Sequence, residues 1–130
     1  MTETPSIYQL VGGEQGLRSL VDRFYDLMDS APEASTIRAF HPISLEQSRE
    51  KLFMFLSGWS GGPALYVEHY GHPRLRQRHL PFSIGSRERD EWLWCMHHAL
   101  DEAQIPPATA SYLKERFAEI ADFMRNRPEA

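Results

Sequence analysis

Four segments of this chain repeat their apolar residues at the helical period, and no segment alternates apolar and polar residues long enough to make a convincing strand. Leu17, Leu20, Val21, Phe24, Leu27 and Met28 follow the helical spacing, with Gly12-Gly13 as a tight turn before them and Pro32 closing the helix. Ser44-Leu45-Glu46-Gln47 reads as the capping box of a second helix, with Leu45, Ser48, Leu52, Phe55, Leu56 and Trp59 along one face and a stop at Gly61-Gly62-Pro63. A third long helix, from about Ser86 to Ala103, sets Trp92, Met96, Ala99, Leu100 and Ala103 on one side. Pro106-Pro107 separates it from a fourth, which buries Leu113, Phe117, Ile120, Ala121 and Met124 and ends before Pro128. Between Ala64 and Phe82, Gly71 and Pro73 break the pattern into short helical pieces, the kind of irregular stretch in which ligand-binding residues concentrate. The expected fold class is all-α.

A chain of 130 residues can bury most of its apolar surface without disulfides or a structural metal. Its 42% hydrophobic and 25% charged residues are ordinary for a soluble globular domain, and no apolar run approaches membrane-spanning length. A net charge of -4 argues against a nucleic-acid surface, although Arg74, Arg76 and Arg78 form a local basic patch suited to a small anion. The lone Cys95 excludes an internal disulfide, and Met1-Thr2-Glu3-Thr4-Pro5 lacks the features of a signal peptide, so a cytoplasmic location is expected. Cys95 lies in an apolar helical stretch and reads as a small core residue.

Within Gly71-His72-Pro73-Arg74-Leu75-Arg76-Gln77-Arg78-His79-Leu80-Pro81-Phe82, Pro81 puts His79 near a helix end, where carbonyls without intrahelical partners can fix one ring nitrogen. The other nitrogen is then free for a metal, and a neutral, oriented imidazole suits the proximal side of a five-coordinate haem iron. The same pattern also fits a histidine that merely satisfies a helix end. Tyr25 interrupts the first apolar stripe, Trp92 faces inward from the third long helix, and His41 falls in Phe40-His41-Pro42 between the first two. Three donors around one space are hard to satisfy mutually and easy to satisfy with a bound polar diatomic. A plain bundle, a helical regulator and a globin-like sandwich all accommodate these helices. His69 and His72 have a zinc-compatible spacing that Gly71 and Pro73 disturb. His97 and His98 point to different helix faces, with His98 expected inside and His97 in solvent. Trp59 and Trp94 read as packing residues.

In order along the chain stand Gly12-Gly13-Glu14-Gln15-Gly16-Leu17, Phe24-Tyr25, Gly61-Gly62-Pro63, the Gly71 to Phe82 stretch, and Glu88-Arg89-Asp90-Glu91-Trp92. With these the chain resembles the truncated haemoglobins of the second group, from about Tyr8 to the last helix. The resemblance implies one truncated globin domain over 1–130, with 1–7 a flexible N-terminal extension, folded as a two-over-two helical sandwich around haem b. It implies His79 as the iron ligand and Tyr25, His41 and Trp92 as polar groups facing the iron-bound ligand, with His41 hydrogen-bonding either Tyr25 or the ligand itself. Leu52 would lie over the iron and Phe55 against the porphyrin, with Phe82 and Trp92 also contacting haem. Lys51, Tyr66, His72, Arg74 and Arg78 are the candidates for the propionates. Ser48 stands where classical globins place a distal histidine, which leaves that hydrogen bond to Tyr25 and Trp92 and opens a side route to the iron.

Two donors acting on a charged acceptor, each contributing roughly 1.5–3 kcal/mol, would slow dioxygen release by about two orders of magnitude or more. The implied partners are therefore dioxygen and other small haem ligands (carbon monoxide, nitric oxide, peroxide, sulfide) held tightly, with a separate reductase, in a monomer or weak homodimer. A haem enzyme, either a peroxidase or a nitric oxide dioxygenase, uses the same pocket, and a cofactor-free helical interaction module is the third class. His41 adds an expected titration near its unperturbed range that rearranges the distal network.

Overall fold

The computed structural model describes residues 4–126 of the chain; residues 1–3 and 127–130, Pro128 among them, and the side chain of Arg76 lie outside the description. In chain order the helices are α1 (Ile7–Leu10), α2 (Gly13–Ser30), α3 (Ser35–Ala39), α4 (Glu46–Trp59), α5 (Leu65–Tyr70), α6 (Leu75–His79), α7 (Ser86–Glu102) and α8 (Pro107–Phe123), with a 3-10 turn at Pro32–Ala34. No strand occurs among the described residues. α2 packs on α4, α7 packs on α8, and the two pairs meet through α2 and α7, giving the expected two-over-two arrangement.

The apolar stripe of α2 is the centre of the core: Leu17, Leu20, Val21, Phe24, Leu27 and Met28 are all buried, against Cys95, Met96, Ala99 and Leu100 of α7 and Leu113 and Phe117 of α8. Burying each large side chain of this kind contributes ~1.5–3 kcal/mol. Burial pushes the Cys95 thiol up to about 12, so it packs as an inert apolar group. Glycines at the start of α2 permit a close approach: Gly12, just before it, takes a φ of 105°, and a Cβ on Gly16 in its first turn would overlap the Val11 carbonyl.

Several local expectations are corrected. At the end of the expected extension, Ser6 caps α1 through a capping box with Gln9, and the Tyr8 amide donates to the Ser60 carbonyl at 2.9 Å. Ser44 builds no capping box, because α4 begins at Glu46 after Leu45 and the Ser44 hydroxyl accepts only the Glu46 amide, at 3.3 Å. The core face of α4 is Phe53, Leu56 and Ser57, whereas Leu52, Phe55 and Trp59 are half-buried. The helix thus has two apolar faces, one fully buried and one half-covered at the margin of the core. His97 and His98 are reversed: His98 is exposed and stacks on Trp94 at 4.1 Å, while His97 is half-buried.

Candidate functional site

His79 closes α6, a five-residue helix entered through Arg74 in the left-handed region (φ 46°). Its Nδ1 lies 2.6 Å from the Leu75 carbonyl one turn back. A carbonyl only accepts, so Nδ1 carries the proton and Nε2 keeps its lone pair, the tautomer a metal ligand needs.

Tyr25 sits on α2 edge-on to Phe24, with ring centres 4.9 Å apart, and is 6% exposed. Burial raises its pKa well above the ordinary phenol range, so the hydroxyl remains a donor, and it has no hydrogen-bond partner among the described residues. Trp92 of α7 is half-buried, 5.1 Å from the same Phe24 ring and 5.8 Å from Phe117. The His41 ring lies 6.0 Å from the Tyr25 ring and makes no hydrogen bond to it; its Nδ1 donates instead to the Ile37 carbonyl at 2.8 Å. Burial lowers the His41 pKa, the charges of Arg38 and His79 lower it further, and the bond to Ile37 opposes them. Protonation therefore falls below the unperturbed range, and His41 is neutral at neutral pH.

On α4, Ser48, Leu52 and Phe55 recur at intervals of four and three residues on the helix's second, half-buried face. Phe55 meets Tyr66 edge-on at 6.4 Å, and the two line a cleft of about 240 Å³ with Met54, Gly58, Ala64 and Val67. The basic candidates fall into two groups. Arg78 donates to the Tyr66 hydroxyl at 2.8 Å, Tyr66 packs on Tyr70 at 4.9 Å, and Lys51 lies 5.5 Å from the Tyr70 ring, so three of them share one rim. His72 and Arg74 turn to each other, the Arg74 amide donating to His72 Nδ1 at 3.0 Å, and both are exposed. Phe82 is 41% exposed and stacks on Phe40 at 5.8 Å.

Sequence reasoning missed the residues that hold this arrangement. Glu91 of α7 accepts the Thr36 and Ile37 amides at 2.9 and 3.1 Å, anchoring the helix whose carbonyl orients His41. Arg49 of α4 pairs with Asp22 and Asp26 of α2 and lies 5.9 Å from the Tyr25 ring. The two carboxylates one helical turn apart were a readable signal for Arg49; Glu91 stood beside Trp92 with none of its own.

A model of the family of bacterial-like globins matches residues 6–126. The group 2 truncated hemoglobin YjbI of Bacillus subtilis (strain 168) is 39% identical over 118 residues, 91% of this chain and 87% of the relative. This chain belongs to the group II truncated haemoglobins. Among solved structures, the group II 2-on-2 hemoglobin of the plant pathogen Agrobacterium tumefaciens superposes with a TM-score of 0.94 at 42% identity, covering 98% of both chains. A truncated oxygen-avid haemoglobin from Bacillus subtilis gives 0.86 at 37% identity, covering 94% of this chain and all of the other.

A truncated haemoglobin of this group implies haem as cofactor and small gaseous molecules as ligands. The residues present fit haem on three independent points. His79 has a fixed tautomer with a free Nε2, α4 keeps a second apolar face only half-covered, and the hydroxyl of Tyr25 makes no hydrogen bond among the described residues. No helix of the described residues is long and apolar enough to cross a membrane.

Proposed function

We propose that this truncated haemoglobin holds haem b through Nε2 of His79 and reversibly binds dioxygen and other small ligands beside Tyr25, Trp92 and His41. Haem, when bound, supplies an iron atom with an open coordination position. The observation that carries the reading is the 2.6 Å contact between His79 Nδ1 and the Leu75 carbonyl, which directs the opposite nitrogen to the metal. Leu52 and Phe55 exclude water from the flat cofactor, and Phe82 and Trp92 complete its contacts. Arg78, Lys51 and Tyr66, already on one rim, take the propionates; His72 and Arg74 are more remote candidates.

Tyr25 and Trp92 offer an O–H and an N–H to a polar diatomic and discriminate against the less polar carbon monoxide. Ser48, half-buried and small, leaves the side route open. Tight retention follows, in keeping with the oxygen-avid relative, and suits sensing, scavenging or redox chemistry more than delivery. A cytoplasmic single domain served by a separate reductase, as a monomer or weak homodimer, completes the reading.

Ultraviolet–visible spectra of the purified ferric, ferrous and dioxygen-exposed protein test it, together with His79→Gly. The variant should lose the haem spectrum and regain it with added imidazole; a His79→Gly protein that keeps the wild-type spectrum without imidazole would overturn the assignment.

One observation favours a second reading, turnover of peroxide or nitric oxide. With Nδ1 committed to the Ile37 carbonyl, neutral His41 has Nε2 available to accept a proton. Steady-state turnover with either substrate, lost in His41→Phe, would select that reading.

A further inference from the structure

α6 carries His79 yet is absent from the helix pairs that pack extensively on one another. Five residues long, it draws little support from propagation of its own hydrogen bonds. Its C-terminal end is fixed by Asn126, three residues beyond the end of α8 and 47 positions away from His79. The Asn126 Nδ2 donates to the His79 carbonyl at 3.2 Å and to the Phe82 carbonyl at 2.8 Å. Its Oδ1 accepts the Ile84 amide at 2.9 Å, and its own backbone amide donates to the Ile84 carbonyl at 2.9 Å.

The orientation of this amide is forced. Turning it over would set Oδ1 against two carbonyls and Nδ2 against an N–H. Aspartate would repel the two carbonyls, and an aliphatic residue would leave the Phe82 carbonyl and the Ile84 amide without this partner and the His79 carbonyl with one donor of its two. The Phe82 amide also donates to the His79 carbonyl, at 3.0 Å, so the main chain of the candidate ligand is held from two directions.

We infer that Asn126 is a positioning residue for His79, setting where the imidazole stands and thereby the strain on its bond to the iron. The inference rests on His79 being the iron ligand. Binding linkage makes it reciprocal: if the clamp positions His79 for iron, iron on His79 must tighten the clamp.

Asn126→Ala and Asn126→Asp, as haem-loaded proteins, should shift the iron–histidine stretching frequency in resonance Raman spectra and release haem about tenfold faster. Asn126→Asp keeps the acceptor for Ile84 and loses the donors to His79 and Phe82, so it should shift the frequency at least as far as Asn126→Ala. Variants with the wild-type frequency and release rate, even if less thermally stable, would reduce Asn126 to a fastener of the chain end. A shift in Asn126→Ala alone would place the effect at Ile84; both results overturn the inference. Should neither variant fold, hydrogen exchange of the wild-type protein decides: the Ile84 and Asn126 amides should exchange at least about tenfold more slowly with haem than without. Equal exchange would sink the proposal. A protein whose haem spectrum does not depend on His79 fails the earlier reading; an intact His79-dependent spectrum with silent Asn126 variants fails only this one.

Discussion

Tyr25 carries a polar group into the core cluster from α2. A side chain 6% exposed whose hydroxyl has no hydrogen-bond partner among the described residues forgoes the stabilisation that such a partner would give, about 1 kcal/mol. Tyr25→Phe should therefore leave the haem-free protein at least as stable as wild type in urea unfolding, while dioxygen leaves the haem-loaded variant roughly ten- to hundredfold faster. A clear loss of stability would mean that the hydroxyl serves the fold. Trp92→Leu bears on the second donor, with the same roughly ten- to hundredfold acceleration expected in stopped flow; an unchanged rate would remove Trp92 from ligand retention. His41 differs from both, because its one directed bond goes to the Ile37 carbonyl and its ring stands 6.0 Å from that of Tyr25.

Among the helices, α3 takes its cap from a side chain of another. Five residues from Ser35 to Ala39 have no side-chain cap of their own, and the Glu91 carboxylate supplies the acceptor to two of their amides. Glu91→Ala should cost about 1–2 kcal/mol of unfolding free energy, as the loss of a good cap does, and Glu91→Gln should recover part of it by keeping one acceptor. Chemical denaturation of the three proteins measures this, and equal stabilities would show that α3 is held by packing. The long helices were legible in the sequence because their periodicity outlasts local irregularity: all six apolar positions read on α2 are buried. On α4 the same reasoning chose one stripe where two exist, missed Phe53, and put Leu52 and Phe55 on one face with Leu56, which the fold buries separately. His79 and its carbonyl partner were legible because Pro81 marks a helix end and the bond is local. The contacts of Glu91 and Asn126 join backbone amides and carbonyls that are 42 to 55 positions away, and backbone groups carry no sequence signature.

For the whole molecule, acid is the condition that separates its two kinds of ionisable support. His41 and His97 both have lowered pKa values, first from burial; His97 is further opposed by the Lys114 charge, and His41 by Arg38 and His79. Between the unfolded imidazole value near 6.5 and the lower folded value, the unfolded chain binds more protons than the folded one. Stability contributed by these neutral imidazoles is thus complete above about pH 6.5 and is lost as the pH falls through their folded values. The carboxylates of Glu50, Asp101, Glu102 and Asp122 are also lowered, each first by a hydrogen bond to its Arg or Lys partner, but their contribution disappears only as the pH falls below about 4.5 and they are exposed pairs of small individual worth. Urea unfolding from pH 7.5 to 4 should therefore show a first decline beginning near pH 6.5 and a second at carboxylate pH. His41→Gln should flatten the first decline and leave the second intact, with a smaller flattening from His97→Gln. Stability that rises between pH 6.5 and 5, or a His41→Gln profile that overlays the wild type, would show that the buried imidazole is not what the fold protects from protons.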